Sequence, residues 1–187
     1  MKPVVVVDKI METADRLFYE QGYNLTGINQ IIEEANISKP SLYNHFKSKS
    51  DLLLAYIDQL YKNWFGGLDA FIKDIHDPMD QLIAFFDYRI VRQISSNYGG
   101  CAWNKILSEM PKEEVGILER GAKFKSELKT RIASLVKQLE RSKDKLLSDE
   151  DFTEIIFSQL ESGVLMAYIT KSHESLENAK SIIRKLA

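Results

Sequence analysis

The chain has 187 residues, of which 44% are hydrophobic and 10% aromatic, enough to bury a core and to exclude a disordered chain or a miniature scaffold. A formal net charge of -2 excludes the basic body of a non-specific nucleic-acid packer, so any DNA contact has to be local. The lone Cys101 excludes a disulfide framework and cysteine-rich zinc sites, while the apolar run Val4 to Val7 is too short for a signal-peptide core and no stretch approaches the roughly 18 apolar residues of a membrane span. The expected location is therefore the cytoplasm.

Apolar residues recur at helical spacing almost throughout, and strand-like alternation is hard to find outside Val4 to Val7. The first helix is predicted from about Val5 to Gln21, with Ile10, Ala14, Leu17 and Phe18 on one face and Gly22 as its left-handed stop. A short second helix covers about Ile28 to Ala35, with Gly27 as N-cap and Gln30 in a weak capping box. Asn36 tolerates the left-handed turn, Ile37 plugs it, and Ser38 caps a third helix from Lys39 to about Phe46, where Pro40 costs little. Ser48 with Asp51 starts a fourth, carrying Leu53, Ile57, Leu60, Tyr61, Trp64, Leu68 and Ile75 and closed by Pro78. Asp77, Pro78 and Asp80 open a fifth, which runs through Leu82, Phe85, Phe86 and Ile94 to a break at Gly99-Gly100. A short helix from Cys101 to Glu109 stops at Pro111, and a long one follows with Leu128, Ile132, Leu135, Val136 and Leu139 buried. Ser148 opens a helix whose apolar stripe is Phe152, Ile155, Ile156, Leu160, Val164 and Ala167; the last, from about Glu174, carries Leu176, Ala179, Ile182, Ile183 and Leu186. The expected fold is all-α, with about nine helices.

The second and third helices, joined by a tight turn with an apolar plug, describe a helix-turn-helix. Between Asn36 and Ser50 stand Lys39, His45, Lys47 and Lys49 with no acidic residue, whereas residues 1–60 as a whole carry six basic and eight acidic side chains. The positive window falls where phosphate would lie. Over roughly Ala14 to Ile57 the sequence resembles the DNA-binding domain of the TetR family. The resemblance rests on Gly22-Tyr-Asn-Leu-Thr26 and on Ser38-Lys-Pro-Ser-Leu-Tyr43-Asn-His-Phe46-Lys-Ser-Lys49. Two positions depart from the family: Gly27 stands for its usual Ser or Thr, and Asn36 for its usual Gly.

The resemblance implies a DNA-binding domain over residues 1–48 and an effector-binding and dimerisation domain over residues 49–187. The third helix would enter the major groove, with Lys39, Ser41 and Asn44 at base edges and Pro40 in its first turn, while Leu42 and Phe46 face the core. Tyr43, His45, Lys49, Thr26 and the free amides that follow Gly27 would hold phosphates, with Asn29 adding a contact. Each has a plainer alternative: Tyr43 as a half-buried aromatic, His45 as a cap, Lys47 as a solvated charge. For the body, the resemblance implies an unknown small-molecule effector near Trp64, Phe65, Phe85, Phe86, Tyr88, Cys101, Trp103 and Phe157, although aromatic stripes also simply fill cores. It further implies a homodimer built on Phe152, Ile156, Leu160, Gly163, Ala167, Ile182 and Ile183, the small Gly163 and Ala167 letting helices approach closely.

The expected function is a repressor released from a palindromic operator by its effector, with no cofactor, metal or membrane partner and no enzymatic activity. The three histidines, His45, His76 and His173, are far apart, and no nucleophile-elbow, paired-histidine or phosphate-loop pattern occurs. The alternatives are a repressor that senses oxidants or electrophiles through Cys101, an activator or adaptor on the same fold, and a helical ligand carrier or enzyme. The run from Arg120 to Lys145, nine basic residues against Glu127, Glu140 and Asp144, is expected to be a solvated helix face.

Overall fold

The computed structural model describes residues 6–110, 115–141 and 146–187. Among them are nine α-helices and no strand: α1 (Val6–Glu20), α2 (Ile28–Glu34), α3 (Lys39–His45), α4 (Lys49–Ile72), α5 (Pro78–Ser95), α6 (Ala102–Glu109), α7 (Val115–Val136), α8 (Asp149–Thr170) and α9 (Glu174–Leu186). The helix starts follow local chemistry. Ser38, Ser48, Asp77 and Ser148 each accept an amide three residues on, from Ser41, Asp51, Asp80 and Asp151 at 2.8 to 3.2 Å. The all-helical expectation holds. Val5, Pro111 and the end of the basic run lie outside the described residues.

Close packing divides the chain into two units, residues 1–63 with 102–121, and residues 64–101 with 122–187. In the first, α1 packs against α2, α3 and α6 through Ile10, Met11, Ala14, Leu17 and Phe18. The Phe18 ring meets Tyr23 and Tyr56 edge-on, both at 5.4 Å. In the second, α5, α8 and α9 pack on one another around Phe85, Phe86, Phe152, Ile156, Leu160 and Ile183. Each such side chain contributes about 1.5–3 kcal/mol by burial.

Three local details differ from the sequence reading. α4 ends at Ile72, not beyond Ile75, whose carbonyl accepts from the Gln81 side chain at 2.6 Å. After α5 the left-handed residues are Asn97, Tyr98 and Gly100 rather than a Gly99-Gly100 pair. Gln93 holds that turn from both sides, donating to the Gly100 carbonyl and accepting its amide at 3.3 and 3.2 Å. Gln30 closes no capping box; it donates to Glu34 and accepts from Gln21, both at 2.9 Å.

Candidate nucleic-acid interface

The turn between α2 and α3 is built from backbone bonds that leave α3 no choice of direction. The Asn36 amide donates to Glu33 O at 3.0 Å and the Ile37 amide to Ile32 O at 3.2 Å, with Asn36 left-handed at φ 50. This is a Schellman stop that uses Asn where Gly is commoner. Ser38, extended at φ -82, then caps α3 through the Ser41 amide, and Pro40 sits in the first turn, where its missing N–H costs nothing. Leu42, fully buried, anchors the helix. Around it Lys39, Pro40, Tyr43, Asn44 and His45 are exposed and Ser41 and Phe46 half-buried. Gly27, extended at φ -83, offers no side-chain cap, so the first-turn amides of α2 stay uncovered, with Asn29 exposed beside them.

Two residues expected on this surface are drawn inward. Thr26 is fully buried; its hydroxyl donates to Gly22 O at 2.6 Å and accepts from Gln21 at 3.2 Å. Its hydroxyl serves the loop between α1 and α2. Lys49 donates from Nζ to Tyr23 O at 2.6 Å, with the ammonium 4.0 Å from the centre of the Tyr23 ring. Burial pushes this ammonium below the ordinary lysine value, against the opposing charge of Glu109. Lys49 therefore pins the same loop.

No local pattern marks the part that α6 plays here. Glu109 Oε2 accepts the Asn24 amide at 2.7 Å, and the Asn24 side chain donates to Glu109 O at 3.1 Å. Gly22 is left-handed at φ +91, and the Glu109 carboxylate occupies the space a Cβ there would need. Lys105 donates to Tyr19 O at 2.8 Å, at the end of α1. α6 thus clasps the end of α1 and the first half of the loop that leads into α2.

In the second unit Trp64, Phe65, Phe85, Phe86 and Tyr88 are buried, Cys101 is 9% exposed and Phe157 half-buried; Trp103 belongs to the first unit. Trp64 lies 4.9, 5.7 and 5.2 Å from the rings of Phe65, Tyr88 and Phe124. Phe124 was hidden in the basic run, where Lys123, Lys129 and Lys137 are exposed but Arg120, Lys125, Arg131 and Arg141 are half-buried. Arg89, only 3% exposed, donates to Glu161 at 3.0 Å, a partner 72 residues away that no local pattern marks. A groove of about 550 Å³ beside α7 and the start of α8 is lined by Lys129, Ala133, Lys137, Asp149, Glu150 and Glu154, among others, and by none of the expected effector residues.

Most of the expected dimer residues face the interior of their own protomer. Phe152, Ile156, Leu160, Gly163, Ala167 and Ile183 are all buried within the protomer's second unit, between α8, α9 and α5. Gly163 does permit a close approach, but to Leu176 of α9 in the same chain, whose Cδ2 would lie 2.5 Å from an added Cβ. Of the set only Ile182 is exposed; the apolar surface of α8 is instead Leu165, Met166, Tyr168 and Ile169.

Comparison with known proteins agrees with this geometry. Residues 10–56 match the family described as bacterial regulatory proteins, tetR family. The chain is 31% identical to IcaR of Staphylococcus aureus, the negative transcriptional regulator of the biofilm operon icaADBC, over 93% of this chain and 90% of that one. It is 32% identical to the transcriptional activator FasR of Mycolicibacterium smegmatis, over 43% of this chain and 38% of that one. Among solved structures, a TetR transcriptional regulator from Legionella pneumophila superposes with a TM-score of 0.81 at 22% identity, over 99% of this chain and 98% of that one.

Proposed function

Because the chain belongs to the TetR family and is a DNA-binding transcriptional regulator, we propose that it acts in the cytoplasm as a homodimeric repressor, released from a palindromic operator by a small-molecule effector. The reading divides the chain into a head, residues 1–48, and a body, residues 49–187. One observation carries the DNA-binding half: α3 is anchored by Leu42 alone among its buried residues, and its outer face presents Lys39, Tyr43, Asn44 and His45 with no acidic side chain from Asn36 to Ser50. Lys39 and Asn44 suit base edges, Tyr43 and His45 suit phosphates, and the uncapped amides of α2 suit a further phosphate.

One such helix reads too few base pairs to find a unique site. Two related by a dyad, about 34–36 Å apart, read successive major grooves. The exposed Leu165, Met166 and Ile169 of α8 and Ile182 of α9 are the surface on which two copies would join. Release then requires an effector with different affinity for the two spacings of the heads. Repression rather than activation is favoured by the end-to-end likeness to the negative regulator, since the likeness to the activator spans less than half of this chain. Sensing through Cys101 draws no support from its burial. Selection of bound duplexes from random DNA tests the whole reading: an inverted repeat with half-sites one helical turn apart is expected, and recovery of no sequence, or of an unrepeated one, overturns it. A promoter-reporter assay then separates repression from activation.

A further inference from the structure

Within the second unit, a buried arginine and a half-buried lysine share one carboxylate. Glu161 accepts from Arg89 Nη2 through Oε1 at 3.0 Å and from Lys125 Nζ through Oε2, which leaves this trio one positive charge in excess. The Arg89 side chain is 4% exposed, and among the described residues its Nε donates to nothing. Its guanidinium lies 4.7 Å from the centre of the Trp64 ring, and Trp64 Nε1 is likewise buried without a partner. Both orphans are donors only. Buried donors left unpaired are costly and rare in native proteins, and a surplus charge beside a buried guanidinium adds to that cost.

The wall around them is aromatic. Phe65, Tyr88 and Phe124 pack on Trp64 within 5.7 Å, and the Lys125 ammonium lies 5.5 Å from the Phe124 ring. A neighbouring cation on this wall is matched: Arg131, 4.4 Å from the Phe65 ring, pairs with both Asp69 and Glu127.

We propose that the Arg89–Trp64 corner is a binding site for a small arene carboxylate. A hydrocarbon ligand would leave two donors unpaired, and a cation would add to the surplus charge. A neutral amide would satisfy a donor but not the charge. An arene carboxylate does all three things: one negative charge, two acceptor oxygens for Arg89 Nε and Trp64 Nε1, and a ring to lie among Phe65, Tyr88 and Phe124. The proposal rests on the reading of the second unit as the effector module and names the ligand class for it.

The test is calorimetric titration of the full-length protein with benzoate, phenylacetate and 4-phenylbutyrate, each beside its uncharged amide, to about 1 mM dissociation constants. At least one carboxylate is expected to bind about tenfold or more tightly than its amide. Equal affinities, or no carboxylate binding, overturn the proposal. Trp64→Phe keeps the ring and removes one donor, so it should cut carboxylate affinity several-fold and amide affinity little; Arg89→Met, with folding checked by circular dichroism, should abolish the preference for the charged form. Selectivity retained in both variants also overturns the site. Release of DNA, followed separately, keeps the two readings apart. A carboxylate that binds without altering DNA affinity upholds the site and removes the regulatory reading, while release by other compounds with no carboxylate bound removes the site alone.

Discussion

Tyr43, Asn44 and His45 face outward from α3 while Leu42 faces inward, and this split across one turn supplies the face that the proposed reading head uses. On the proposed phosphate contact, Tyr43→Ala should weaken operator binding by about 1.5–3 kcal/mol. Lys39→Ala should weaken it with a salt slope lower by about 1 if the ammonium lies on phosphate, or relax one base position if it lies on a base edge. Fluorescence anisotropy across a salt series separates these outcomes, and unchanged binding in both variants removes the contact assignment. The turn permits a second prediction. Asn36 holds φ 50, so Asn36→Gly should stabilise the fold by about 0.5 kcal/mol, and Asn36→Val should destabilise it by about 1–2 kcal/mol; urea unfolding measures both.

At the scale of elements, glycines of the same type meet opposite surroundings. Gly163 of α8 faces Leu176, and Gly66 of α4 has nothing within 4 Å of a built Cβ. Gly66→Ala should raise stability by about 0.5–1 kcal/mol through helix propensity, while Gly163→Ala should lower it by about 1–3 kcal/mol through overpacking; the two melting shifts should have opposite signs. The seam between α1 and α2 carries a pH dependence. The Arg16 guanidinium, helped by the Gln30 amide, holds the Glu34 carboxyl below its ordinary value of 4.5. A carboxyl with a depressed folded value stabilises fully above 4.5, and that contribution fades as pH falls through the lower folded value. Acid unfolding of Glu34→Gln should therefore diverge from the parent above pH 4.5 and converge with it below, by a small margin that salt reduces further, since both partners are exposed. Identical curves throughout would show that the pair contributes nothing.

What could be read from the sequence at this scale was whatever is decided within four residues. Ser38, Ser48, Asp77 and Ser148 were legible as caps because a cap is an i to i+3 bond. Long-range choices were not. Thr26 looks like a surface hydroxyl until Gly22 O is found against it, and Lys49 looks like a free cation until Tyr23 takes it. α8 is apolar on so many sides that periodicity alone does not say which stripe, Leu160 or Leu165, lies inside the protomer.

For the whole molecule the consequence of that choice is its oligomeric state. Leu165 and Ile169, 55% and 61% exposed, lie one helical turn apart, on the stripe opposite the one buried against α9. Leu165→Lys together with Ile169→Lys should leave the protomer folded, since neither side chain is core, and shift the sedimentation profile from dimer to monomer. Operator affinity should fall to that of a single head. A double variant that still sediments as a dimer moves the interface elsewhere.

The clasp of Glu109 and Lys105 on the loop after α1 has a consequence for biosynthesis. Asn24 and its carboxylate partner are 85 residues apart in the chain, so a ribosome finishes the helices that touch DNA well before it supplies the segment that steadies them. A nascent chain that ends ahead of α6 exposes the Asn24 amide and the Tyr19 carbonyl to water, and the recognition segment gains its full rigidity only when much of the remaining chain has emerged.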